Sequence, residues 1–232
     1  MVEHKFQSEY RLNTKLHYWL LTMLVVSVPL VCYDILCSYQ LSQNYFEIYY
    51  KSPSSAKWLQ WFQRNETILL IFHLTCTLPI MLVFFRWLYV MYKNLYALGL
   101  EGVEYSPGWA VGWFFVPIMN LFRPVQVIGE LWRGSQPGTN AETWTEERVP
   151  SFIVVWWVVW VASGLSYNFL TSELINARPL PKELSQSVML HILGSIAYLA
   201  AVILTAVLIH RIRKAQLRKL SEVGRGYKDV FS

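Results

Sequence analysis

Charge is what this chain has least of. Asp, Glu, Lys and Arg make up 15% of its 232 residues, against roughly 25% in an average soluble domain. Acidic residues number 15, while hydrophobic residues reach 54%. That balance excludes a disordered chain and a charge-rich coiled coil, and it weighs against an ordinary cytosolic enzyme. Cysteine is nearly missing as well. Cys32, Cys37 and Cys76 all lie inside apolar stretches, and no two form a C-x-x-C pair. A disulfide scaffold, a zinc ribbon and a redox dithiol are therefore disfavoured, and the three read as packed, inert thiols. There is no G-x-S-x-G, H-E-x-x-H or P-loop, no internal repeat and no low-complexity tract. Nor does the N-terminus read as a cleavable signal. A polar, mixed-charge stretch leads into an apolar run longer than the roughly 7–15 residues of a signal core, with no A-x-A site after it.

What the chain has is tryptophan and long apolar runs. Trp occurs 11 times and aromatics make up 16%, and the mean hydropathy is +0.31. Trp favours places with one apolar and one wet side, such as membrane interfaces and subunit contacts. A helix crosses a bilayer with roughly 20 mainly apolar residues. Four segments meet that length, at about 18–39, 67–90, 152–170 and 188–210. Pro29 and Pro79 interrupt the first two, which is tolerated where Ser/Thr or neighbouring helices satisfy the freed carbonyls. The stretch at about 109–133 is different. Its apolar part, WAVGWFFVPIMNLF, is short and holds Pro117 and Asn120. The following VQVIGELWR puts Val125, Ile128, Leu131 and Trp132 on one helical face and Gln126, Glu130 and Arg133 on the other. That pattern predicts a broken re-entrant or interfacial helix rather than a further span.

Positive charge decides between the two counts. Four spans place 15 Lys/Arg on the side of both termini and 5 on the other. Five spans give 12 and 7, with Arg123 left inside the membrane. The steeper split agrees with a positive-inside topology. The expected architecture is therefore all-α: one membrane domain over 1–232, a four-helix transmembrane bundle with an extra broken segment, both termini cytoplasmic, and a basic tail at 211–232. The net charge of +5 is thus orientation first, and no nucleic-acid motif accompanies it. The tail HRIRKAQLRKL reads as a positive-inside anchor, or more sharply as a contact for anionic head groups or an acidic partner.

Ionisable residues inside a span are functional candidates. Asp34, His73 and His191 lie on three different spans, each within roughly 5–10 Å of the outer surface at about 1.5 Å per residue. Three readings follow: a hydrogen-bonded network that orders the bundle, a b-type haem held by His73 and His191, or a metal or proton site of Asp34, His73 and His191. Against haem, the two helices carry few glycines to make room for a porphyrin. His4, His17 and His210 sit at or beyond span ends and read as interfacial. Ala162-x-x-x-Ser166 and Ala197-x-x-x-Ala201 permit close helix approach. Trp156, Trp157 and Trp160 cover a broad face of the third span, towards lipid, a partner subunit or a flat pigment.

The segment YSPGWAVGWFFVPIMNLFRPVQVIGELWRGS (105–135) resembles the signature of a bacterial membrane family known only as domain of unknown function 4328. The matching positions are Trp109, Ala110, Val111, Trp113, Pro117, Asn120, Pro124, Glu130, Leu131 and Trp132, preceded by Trp87 and Asn94. Phe114-Phe115 stands where the family often has an aromatic pair with Trp. The resemblance implies an inner-membrane protein and carries over no catalytic residue. Physical reasoning gives the motif a structural role. Pro117 and Pro124 break helices, Asn120 is placed to bond the freed carbonyls, and Arg123 to reach the head groups. Trp109, Trp113 and Trp132 would mark the cytoplasmic interface, and Asn94 would brace the loop. The expected function is a non-catalytic accessory or scaffold subunit of a larger complex in the bacterial inner membrane, with membrane lipids and other membrane subunits as partners. The alternatives are a haem- or metal-binding redox protein, and a lipid- or small-molecule-handling protein with a cavity at the broken segment.

Overall fold

The computed structural model describes the backbone of residues 2–46, 57–175 and 181–231, and side chains chiefly over 14–33, 77–165 and 189–222. Six α-helices run in the order α1 (Val2–Phe46), α2 (Lys57–Ala97), α3 (Pro107–Gly112), α4 (Arg123–Ser135), α5 (Phe152–Ile175) and α6 (Pro181–Phe231). Single 3-10 turns occur at Met119–Leu121 and Trp144–Glu146. No strand occurs among the described residues, so the fold is all-α as expected. Helices α1, α2, α5 and α6 are 45, 41, 24 and 51 residues long. They run unbroken over each of the four apolar segments. Pro29 and Pro79 sit inside α1 and α2. Near each, a hydroxyl bonds back to the helix: Ser27 Oγ donates to Leu24 O (2.7 Å) and Thr75 Oγ1 to Ile71 O (2.7 Å).

Two described stretches are long and apolar enough to cross a membrane by length and composition: Thr14–Tyr33 in α1 and Met189–Glu222 in α6. Only 28% and 39% of their apolar windows is buried, which is little for the core helix of a soluble protein. The apolar part of α5, Phe152–Leu165, is shorter.

The chain divides into two compact units. One comprises Met23–Ile80 and Val158–Val202. There Leu24, Val31, Ala201 and Val202 are buried, and Trp160 meets Tyr198 edge-on at 5.3 Å. The other comprises Met1–Thr22, Met81–Trp157 and Ile203–Ser232, and it contains the whole motif. Its core is assembled from Trp87, Tyr92 and Leu95 of α2, Ile128 and Leu131 of α4, Trp144, and Leu208 and Ile212 of α6, all nearly without exposure. Helix α2 ends because Gly99 takes φ +69, a left-handed backbone that lets Leu100 N–H bond back to Leu95 O at 3.4 Å and closes the last turn. Ser106 then caps α3, its Oγ accepting from Trp109 N–H at 3.3 Å, with Pro107 at the first helical position.

Candidate functional site

The motif occupies residues 104–135, and a buried carboxylate organises it. Glu130 lies on α4 and is 7% exposed. Its Oε1 accepts from Glu104 N–H at 2.5 Å, and its Oε2 from Tyr105 N–H at 3.4 Å. The Tyr92 hydroxyl donates to Val127 O at 2.7 Å and reaches Glu130 Oε2 at 3.0 Å. One side chain thus ties the turn after α2 to α4. Burial holds the Glu130 carboxyl above the usual carboxylate range, against the opposing pull of bonds from Glu104 N–H, Tyr92 and Tyr105 N–H. Burial, and then the neighbouring Glu130, push the Tyr92 phenol well above its usual value. A phenol has one proton, and Tyr92 has two acceptors in reach. That proton is shared between Val127 O and Glu130 Oε2.

This placement corrects the expected amphipathic pattern. Glu130 does not share the outer face with Gln126 and Arg133. It points inward beside Val127, Ile128 and Leu131, all fully buried. The apolar face of α4 is core. The reason is the main-chain donors of residues 104 and 105, a partner that helical periodicity does not contain.

Arg123 also departs from expectation. Its Nη1 donates to the Tyr105 hydroxyl at 2.8 Å and Gln126 Oε1 at 2.9 Å, and pairs with Glu104 at 3.3 Å. The guanidinium lies 5.1 Å from the Trp113 ring centre and 5.7 Å from that of Tyr105. It is held by side chains of the motif itself. Asn94 bonds Gln216 Oε1 on α6 at 3.0 Å rather than the broken loop.

Between α3 and α4 the chain closes its own turns. Met119 N–H bonds Pro117 O (2.7 Å), Asn120 N–H bonds Val116 O (2.9 Å), and Phe122 N–H bonds Met119 O (3.0 Å). Among the described residues no hydrogen bond joins the Asn120 side chain to a freed carbonyl, and its Oδ1 is buried with no hydrogen-bond partner. The Leu121 carbonyl is instead met by Trp157 Nε1 at 3.0 Å. Trp156 turns inward, its Nε1 donating to Thr205 Oγ1 at 2.8 Å. The Trp156–Trp157–Trp160 group is therefore no single outward stripe. Phe114 stacks edge-on with Trp157 (5.8 Å) and with Phe85 (5.4 Å), and Phe115 lies 4.9 Å from Phe85. Trp132 meets Phe152 at 5.5 Å.

Outward, the same segment is apolar. Phe115, Ile118 and Phe122 are 61%, 72% and 60% exposed, and Trp109, Met119 and Leu121 are exposed with them. Ile118 carries φ +66, a left-handed backbone that is a real outlier for a β-branched residue.

The tail of α6, expected as a basic anchor, is partly core. Ile212, Gln216 and Lys219 form a buried stripe at the i, i+4, i+7 spacing of one helix face. Gln216 Nε2 donates to Met91 O at 3.2 Å, and Lys219 Nζ donates to Gly134 O (3.0 Å) and Thr139 Oγ1 (2.7 Å). Glu222 accepts from Gly138 N–H at 2.8 Å. Sequence reasoning missed this clamp. The signal was present in the spacing of Ile212, Gln216 and Lys219, but the surrounding charge hid it. Trp144 is buried, with Nε1 donating to Glu101 O at 2.8 Å.

The outer-end candidates are described only in part. His191 is buried in the unit containing Met23–Ile80 and Val158–Val202. The side chains of Asp34 and His73 lie outside the described residues, as does that of Cys76. Among the described residues no group of three or more His, Cys, Asp or Glu is placed to hold a metal ion.

A family profile described as Domain of unknown function (DUF4328) matches residues 52–214. The chain belongs to that family. Nothing among the curated proteins and nothing among the solved structures matches it.

Proposed function

We propose that this member of the family is an integral membrane protein of four spans, at about 18–39, 67–90, 152–170 and 188–210. Both termini and the motif lie on the cytoplasmic side of a bacterial inner membrane. Its role is non-catalytic: an accessory or scaffold subunit that seats against membrane partners. The observation that carries this reading is the inverted surface of residues 109–122. The polar side chains that flank this stretch, Tyr105, Arg123 and Glu130, are bonded to one another or to the main chain. The apolar groups Phe115, Ile118 and Phe122 face outward. A contiguous apolar patch of that kind marks a membrane or protein contact. A strained, self-closed turn at its tip suits a short element that dips into one leaflet and returns, because its backbone polar groups are satisfied locally. Whatever meets this face is itself apolar: acyl chains, or the transmembrane helices of a partner.

The test is purification from native membranes after mild crosslinking, together with reporter fusions at residue 232 and between α1 and α2. The reading expects a stoichiometric partner, a cytoplasmic reporter at the end and an outer reporter between those helices. A monodisperse, partner-free chain sinks the subunit role, and reversed reporters sink the topology.

A second reading has one specific support. Trp113 Nε1 and Asn120 Oδ1 are a buried donor and a buried acceptor without partners, both within the broken segment. Buried polar atoms of this kind call for a partner. A small molecule or lipid with a hydroxyl group supplies both a donor and an acceptor. Extraction of a defined lipid from wild-type protein, lost in Trp113→Phe, is the outcome expected of that reading. Identical extracts from the two proteins would exclude it.

A further inference from the structure

A second cluster lies apart from the motif, where the start of the apolar run of α1 meets the end of that of α6. His17 is 1% exposed, and its Nδ1 has no hydrogen-bond partner. Its ring centre is 6.1 Å from that of His210 and 5.6 Å from that of Tyr18. Arg213 Nη2 donates to Thr14 Oγ1 at 3.1 Å, and its guanidinium lies 5.4 Å from the Tyr18 ring centre. All five residues fall in the same compact unit. Among the described residues two imidazoles and a guanidinium are therefore gathered with no carboxylate. Residues 14–22 and 203–221 contain no Asp or Glu at all, while 203–221 contains five Lys/Arg. Among the described residues Arg213 is in no ion pair. Its neighbours on α6 are engaged elsewhere: Arg211 over the Phe152 ring at 5.2 Å, and Lys219 on Gly134 O and Thr139.

We propose that this cluster is a binding site for the phosphate of an anionic lipid. The proposal rests on the membrane reading above and deepens it. An orphaned imidazole nitrogen beside an uncompensated guanidinium is satisfied by an oxyanion, which accepts from both. The aromatic setting identifies the source. Tyr18 and Trp19 are 59% and 62% exposed at the point where α1 turns from polar to apolar, and the Tyr18 ring lies beside Arg213. Amphipathic rings at that level mark the head-group zone of a bilayer. Basic pockets between helices on the cytoplasmic side are the usual form of head-group recognition. His210, on the exposed rim, gives the head group access to the buried His17. Arg213 supplies the charge, His17 the inner donor, and the Tyr18 and Trp19 rings lie against the glycerol and upper acyl chain.

The test uses the full chain in nanodiscs of phosphatidylcholine alone and of phosphatidylcholine with phosphatidylglycerol. Native mass spectrometry then counts the lipids retained on release. One phosphatidylglycerol per chain is expected to stay bound when phosphatidylcholine does not. Retention should fall about tenfold in Arg213→Gln, the loss of one charge-assisted hydrogen bond. His17→Phe, which keeps a buried ring, should also lose it. His210→Gln, on the exposed rim, gives a third reading if Arg213→Gln does not fold. Equal retention of the two lipids, or wild-type retention in His17→Phe and the arginine variant, overturns the site. Millimolar inorganic phosphate that binds alone and displaces the lipid shows a free-ion site and overturns the lipid assignment. A chain that enters phosphatidylcholine discs normally but shows no head-group preference contradicts this proposal alone. A chain that enters neither disc contradicts the membrane reading as well.

Discussion

Helix α4 hides two polar side chains, Glu130 and Ser135, while residues 113–122, immediately upstream, display their apolar ones. In α4, Glu130 and Ser135 are buried and bonded, Ser135 Oγ to Leu131 O at 2.5 Å. Before α4, Phe115, Ile118 and Phe122 stand in the open. Composition alone would have assigned these two stretches the other way round. The difference lies in what each can bond. The turn after α2 offers two main-chain donors that only a carboxylate the length of Glu130 reaches, so a polar group is drawn in. The broken turn satisfies its own backbone through Asn120 N–H, Phe122 N–H and the Trp157 indole, so its side chains need no polar surroundings. Such a surface is stable where the neighbours are apolar.

The strongest way to break this contrast is to remove its inward half. Glu130→Ala strands the Glu104 and Tyr105 N–H groups, and should lower stability by roughly 3 kcal/mol in chemical unfolding of the full chain. Glu130→Gln keeps the volume and an acceptor and should lose less than half as much. If the two variants are equal, Glu130 is packing rather than a clamp.

The outward half is tested next. Ile118→Asp places a charge at the exposed tip and should cost about 2 kcal/mol in phosphatidylcholine nanodiscs, since charge is disfavoured at membrane depth. Thr145→Asp, on an exposed polar turn, should stay within about 0.5 kcal/mol. Equal silence would mean that the tip faces water. Trp157→Phe then removes only the indole bond to Leu121 O, and should cost about 1 kcal/mol, with the change confined to hydrogen exchange at residues 113–122.

The smallest effect is the proton on Glu130. Its folded pKa is raised, so the folded state holds a proton more tightly than the unfolded one. The stabilisation is full below the unfolded carboxyl value of about 4.3. It is lost as pH rises through the raised folded value. The pH–stability curve of Glu130→Gln should lack that fall. An unchanged curve would remove Glu130 as its cause.

Much of this was legible in residues. The Pro117 and Pro124 breaks and the poor spanning length of 109–122 announced a broken segment. The apolar runs announced four long helices. The inward turn of Glu130 was not legible, because its partners are main-chain N–H groups of a turn twenty-five residues away, and periodicity records only a helix's own faces. Arg123 was misplaced for the same reason: Tyr105 and Glu104 belong to another element. The buried stripe of Ile212, Gln216 and Lys219 was masked by the charges around it. Asp34 and His73, the most suggestive intramembrane pair, fall outside the described side chains, so their meeting with His191 stands as the sequence left it.

The central claim is that residues 113–122 dip into a leaflet while α4 stays tucked against the protein. A nitroxide at Ile118→Cys, in a background lacking Cys32, Cys37 and Cys76, reports this through its collision rates with oxygen and with a water-soluble nickel chelate. In phosphatidylcholine bilayers the label at 118 should meet oxygen freely and the chelate hardly at all, while a label at Thr145→Cys should show the reverse. A label at 118 that meets the chelate as readily as one at 145 would place the segment in water and contradict the account.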